Sequence, residues 1–179
     1  MKTVAFALMI LVNSPAFARQ DQTPLPVLPV TFFDVLDLPA RIDEPKLQKT
    51  ENYYALKCAL ANRSGETLVG VRLTMLLLDT SNNHITRVTW NEAATVPAYS
   101  IKSFEFHPAI KGEIKEVTVF LGIDEVLGHD TVWRTIDADK LLRAYARGQH
   151  GEIPRVQKLQ NKFDKTTPAT IMRAKPPGP

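Results

Sequence analysis

The chain has 179 residues, 22 lysines and arginines against 19 aspartates and glutamates, and a single cysteine. A net charge of +3 with no stripe of interleaved basic and aromatic residues argues against a nucleic-acid binder. One cysteine excludes an intramolecular disulfide, so the fold must rest on its apolar core, which a chain of this length can build.

The first segment reads "MKTVAFALMILVNSPAFARQ". Lys2, the apolar run Val4 to Val12 and the small-x-small site Ala16-Phe17-Ala18 have the layout of a secretory signal peptide over 1–18, cleaved after Ala18. The run falls short of the ~20 residues that span a bilayer. No cysteine near the cleavage site offers a lipid anchor, and no later segment is apolar enough to cross a membrane. Cleavage leaves 161 residues with a charge of +2, expected in the periplasm or outside the cell.

Residues 19–50 form a proline-rich leader with Pro24, Pro26, Pro29, Pro39 and Pro45. Within it, "VLPVTFFDVLDL" suits an edge strand, where proline is tolerated. A β-sandwich domain is expected over 51–136. Tyr54, Leu56, Cys58 and Leu60 alternate in the first strand, and "NRSGET" then reads as a turn. In "VRLTMLLLD", Val71, Leu73, Met75 and Leu77 lie at spacing two, so one face of a strand enters the core. Leu76 and Leu78 point the other way and need a cover. "DTSNN" reads as a hairpin turn. Further strands are expected at His84–Trp90, Tyr99–Phe106 with a bulge near Ser103, Ile114–Ile123 and Thr131–Thr135. The sum is about seven strands, the pattern of an all-β, immunoglobulin-like antiparallel sandwich.

The period then changes. Ala138, Leu141, Leu142 and Tyr145 fall at i, i+3, i+4 and i+7, so 137–148 should be a short amphipathic helix docked on the sandwich. Asp137 suits its start and Gly148 its stop. Residues 149–179 form a basic tail expected to be largely disordered. From Glu152 onward six basic side chains stand against two acidic ones, which allows contact with an anionic surface.

Part of this pattern resembles the FxLYD-type immunoglobulin-like domains of exported prokaryotic proteins. Asn62-Arg63-Ser64 stands where that family has its N-x-S/T turn, and Met75, Leu77, Leu78 and Asp79 stand where Phe, Leu, Tyr and Asp would be. "VPAYSIKSFEF" stands where the last element would be. The resemblance covers roughly 53–120 and departs from the family at both aromatic positions. It implies an extracytoplasmic sandwich with a binding role and carries no catalytic residues.

No G-x-S-x-G, phosphate loop or C-x-x-C is present, and His84, His107, His129 and His150 lie far apart. No cofactor is therefore expected. The densest polar cluster is "GIDEVLGHD", where Asp124, Glu125, His129 and Asp130 are candidate ligands for a divalent ion if the loop folds back. A solvated loop is the plainer reading. Trp90 and Trp133 suit core or edge packing better than ligand stacking. Cys58 suits a buried small hydrophobe, since no basic neighbour would activate it. Asn62 is formally a glycosylation acceptor. Two functions stay in view: a non-enzymatic binding or structural module of the cell envelope with a protein or envelope partner, and a small metal- or ligand-binding exported protein using the Asp124–Asp130 loop.

Overall fold

A computed structural model describes residues 26–79, 85–112, 114, 117–149 and 151–160. The segment expected as a signal peptide, most of the stretch expected as the "DTSNN" turn and the last part of the tail lie outside the described residues. Among those described, the chain runs β1 (Val27–Phe33), β2 (Ala40–Lys49), β3 (Tyr54–Asn62), β4 (Leu68–Asp79), β5 (Ile85–Val96), β6 (Ile101–Phe106), β7 (Val117–Gly128), β8 (Thr131–Thr135), α1 (Ala138–Ala146) and β9 (Val156–Gln160). The all-β expectation holds in its coarse form. The strands form one continuous mixed sheet in the order β5-β4-β7-β1-β2-β3-β6, curled into a half-barrel, with β8 and β9 added beside β7.

The leader is where the expectation needs most correction. β1 is an interior strand. Its first half, Val27 to Pro29, pairs antiparallel with β2, and its second half, Val30 to Phe33, pairs parallel with β7. Each half therefore has one neighbour only. Pro29 stands at the changeover, opposite Lys46 of β2 and one residue before the pairing with β7 begins. The parallel pairing makes the sheet mixed. β2 absorbs Pro45 at a bulge between Asp43 and Lys46, where Glu44 takes a left-handed backbone (φ 48°).

β4 is central, pairing antiparallel with β5 and β7. Val71, Leu73, Met75 and Leu77 enter the main core with Leu56, Leu60, Val119, Leu121 and Ile123. Fully burying one such side chain is worth about 1.5–3 kcal/mol. Leu76 is also buried, but on the outer face. There α1 packs on β7 and β4, with Leu142 against Gly122 and the Tyr145 ring 5.0 Å from Phe33. Asp137 precedes the helix with φ 56° and no side-chain cap; its carbonyl accepts from Leu141 N–H. Gly148 ends it at φ 74°, a conformation that needs no Cβ.

Three smaller corrections follow. β6 pairs with β3 in unbroken register, so no bulge sits at Ser103; Ile101 simply faces outward. β7 extends to Gly128 and takes in Asp124 and Glu125, which were expected in a loop. The segment expected as a disordered tail contributes β9, which pairs with β8 and packs Val156 on the core.

Candidate functional site

The four candidate ligands do not converge. Asp124 and Glu125 occupy β7 where its register with β4 shifts: Arg72 opposes Glu125, Leu73 opposes Ile123, and Asp124 is the extra residue. Asp124 Oδ2 accepts from Thr74 Oγ1 at 2.7 Å. Burial raises its pKa, opposed by the Thr74 bond and by Arg72 and Arg87 nearby. Glu125 instead accepts from Arg134 Nε at 2.7 Å and lies 3.8 Å from Arg72. His129 and Asp130 form the exposed β7–β8 turn. Among the described residues no three His, Cys, Asp or Glu side chains are placed to share a metal ion. Cys58 is buried in the core, and burial pushes its thiol up to about 12, which keeps it protonated and unreactive. Trp133 is buried, and Trp90 is half-buried on the inner side of β5 with its indole N–H lacking a well-formed hydrogen bond. Glu92, beside it, has its pKa raised by burial, with Trp90 and His107 holding it back.

The arrangement of interest lies at one end of the half-barrel, where the β3–β4, β5–β6 and β7–β8 links meet. Asn62 organises it. The residue is 4% exposed and all its side-chain hydrogen-bonding capacity is used. Its Nδ2 donates to the carbonyls of Glu66 (2.7 Å), Val96 (3.1 Å) and Pro97 (2.9 Å). Its Oδ1 accepts from Ser64 N–H (2.9 Å) and Ser64 Oγ (2.8 Å). The amide thus locks its own turn and staples it to the end of β5. A glycan on Nδ2 is incompatible with these bonds, so the N-x-S segment serves the fold. Arg63 extends the staple to the β1–β2 link through two contacts with Asp34, at 2.8 and 2.7 Å.

This frame presents a surface. Tyr99, in the β5–β6 link, is held at φ 52° and is 76% exposed. Its backbone N–H donates to the Ser64 carbonyl, and its ring lies against Gly65. A bulky residue in the left-handed region is uncommon, and here the tight link imposes it while the ring faces solvent. Next to Gly65, Glu66, Thr67 and Val69 line an open groove of about 500 Å³ with His129, Asp130 and Thr131. Gly128 allows the close approach: a Cβ there would sit 2.9 Å from the Trp133 ring and 3.1 Å from Glu66 Oε2. Lys158 of β9 reaches over Trp133, 5.4 Å from the ring centre, toward Glu66 at 3.9 Å. Two carboxylates thus line the groove, Glu66 with Lys158 near it and Asp130, together with the apolar Val69.

Two of the four candidates from the sequence, His129 and Asp130, line this groove. The sequence pattern missed Glu66, Thr67, Val69 and Tyr99. The available signals were Asn62 followed by Ser64, an Asx-type turn, and the short Pro97–Ser100 link carrying a tyrosine. Comparison with family models, with curated proteins and with solved structures gives no match for the chain.

Proposed function

We propose that the chain is an exported, non-enzymatic binding module of the cell envelope, and that it binds its partner with the loop end around Tyr99. The observation that carries this reading is the convergence of three links, two of them stapled together by Asn62, into a platform bearing an exposed aromatic and a groove. Exposed Tyr on a pre-organised loop frame is a common anchor in protein recognition, because it adds contact area at small entropic cost. The groove is too open to enclose a small substrate, which favours a macromolecular partner. For the fold we propose an immunoglobulin-like sandwich of the FxLYD type. In support, β1 changes partners midway, so that β2-β3-β6 and β5-β4-β7 share one core. Export rests on the signal-peptide layout of residues 1–18. No helix among the described residues is long and apolar enough to cross a membrane. The metal-binding alternative has no observation in its favour, because Asp124 and Glu125 are engaged on β7 away from the turn that bears His129 and Asp130.

A photo-crosslinker placed at Tyr99 or Val69, compared with one at Lys57 on β3, tests the reading on isolated envelope material. Products concentrated at 99 and 69 are expected. Equal or greater yield at 57 would place the binding face elsewhere. Recovery of mature protein beginning at Arg19 outside the cytosol tests export; full-length protein in the cytosol would remove the compartment from the proposal.

A further inference from the structure

Three strands end the sheet among the described residues, β5, β6 and β9, and two of these edges are guarded. β6 is six residues long, and its Lys102 reaches across to the Thr95 carbonyl at 3.4 Å. β9 is five residues long and carries Lys158. Short length and lysine both discourage a further strand. β5 has neither protection. It runs for twelve residues without proline or lysine, and no described strand pairs with the side turned away from β4. Its one cation, Arg87, is turned onto Asp139 at 3.3 Å and Thr89 at 3.1 Å of the same chain. We infer that β5 pairs edge to edge and antiparallel with β5 of a second copy, with Thr89 on the two-fold axis.

The register points to a second copy. From Ile85 to Ala93 β5 pairs with β4 without a break, and the shift opposite Leu68 and Gly70 then bends the strand. The straight stretch is nine residues long, and Thr89 is its centre. Full overlap of two antiparallel copies therefore sets Thr89 against Thr89. Odd-numbered residues of this stretch share the face of Thr74 and Leu76, and even-numbered ones share the core face of Leu73 and Met75. This register keeps each face on its own side. On the outer face Arg87 meets Asn91 of the second copy, twice by symmetry. On the core face Val88 meets Trp90, again twice, and Thr86 meets Glu92. Aromatic with β-branched, threonine with threonine and hydrogen-bonding polar pairs are favourable across strands, and no like charges face each other. Moving the axis to Trp90 would set Val88 against Glu92, and moving it to Val88 would set Ile85 against Asn91. The contact uses the part of β5 away from Tyr99 and leaves both loop ends uncovered. Val96 is seven residues from the axis, so at about 3.3 Å per residue the two loop ends stand roughly 45 Å apart, at opposite ends of the joined sheet.

An edge contact buries little side-chain area, so the pair is weak and depends on concentration. Sedimentation of the mature chain should show a monomer passing to a dimer as concentration rises. Asn91→Lys sets a lysine against Arg87 of the second copy at two places and should weaken self-association by about tenfold or more. Asn91 is exposed, so the melting temperature should hold. Cysteines read the register under mild oxidation. Thr89→Cys brings two thiols together across the axis and should give a covalent dimer. Arg87→Cys lies about 13 Å along the strand from its own copy and should give none, whereas Arg87→Cys mixed with Asn91→Cys should. The native chain controls for Cys58, which is buried. A monomer at every concentration, with no Thr89→Cys dimer, would overturn the inference and leave the edge to a strand of another protein. A dimer untouched by Asn91→Lys would overturn it too, as would equal crosslinking of Thr89→Cys and of Arg87→Cys alone.

Discussion

Asn62→Ala examines the frame that holds the loop end. The substitution removes five hydrogen bonds and leaves the Val96 carbonyl in a buried place with no side-chain partner. The Glu66 and Pro97 carbonyls and the Ser64 N–H are only partly buried, so water can reach them in the variant. A buried group left unsatisfied costs about 1–3 kcal/mol, and each bond exchanged for one to water costs about 0.5–1.5 kcal/mol. Water recovers much of the second contribution, so a total of about 3–4 kcal/mol is expected. Ser64→Ala removes one hydroxyl contact at the edge of the same network and should cost about 1 kcal/mol or less. Asn62→Asp should be at least as damaging as Ala, because it turns a carboxylate oxygen toward three carbonyls. Urea unfolding at neutral pH, with slopes compared across the set, gives the differences. A loss below about 1 kcal/mol for Asn62→Ala would refute the view that this amide organises the loop end.

Other expectations follow from packing and charge. Leu77→Ala should cost about 2–5 kcal/mol and Arg72→Ala under about 1, because Leu77 faces the core while Arg72 is half-exposed and makes a 3.8 Å pair with Glu125; equal losses in urea would mean the β4 faces are misassigned. Ending the chain at Gly151 removes β9 and should lower the melting temperature by several degrees. Ending it at Thr135 also uncovers Leu76 and should cause aggregation, read by light scattering. Melting of both like the parent would detach these elements from the fold. Asp124 and Glu92 have folded pKa values raised by burial. Their stabilising contribution is therefore present below the unfolded carboxylate value near pH ~4 and is lost as pH rises through the folded value. Asp124→Asn should flatten the fall in stability over that window, and an unchanged slope would contradict the assignment.

Strands that bury one face were legible in the sequence. β4 and β3 show spacing-two apolar rows because each has a dry side and a separate role for the other. β1 was legible as a strand and not as an interior one, since a strand bearing proline reads as an edge and only the sheet order shows the change of partner midway. β9 was invisible because Val156 and Leu159 stand three apart, and its pairing depends on β8 being already in place. The polar cluster Asp124 to Asp130 looked like a loop because the β7 bulge interrupts the alternation just where the acids occur. The loop-end surface is assembled from segments more than 60 residues apart in the chain, from Ser64 to Asp130, and only the sheet order brings them together.

The central claim is that Tyr99 and its groove are the binding surface. Its most direct measurement is the affinity of the mature chain for envelope material, wild type against Tyr99→Asn. Asparagine tolerates the left-handed backbone at this position and removes the ring, so the frame should keep its melting temperature. The account expects binding weaker by about tenfold or more, the loss of an anchor worth at least ~1.4 kcal/mol. Unchanged affinity in a variant that melts like the wild type would contradict it.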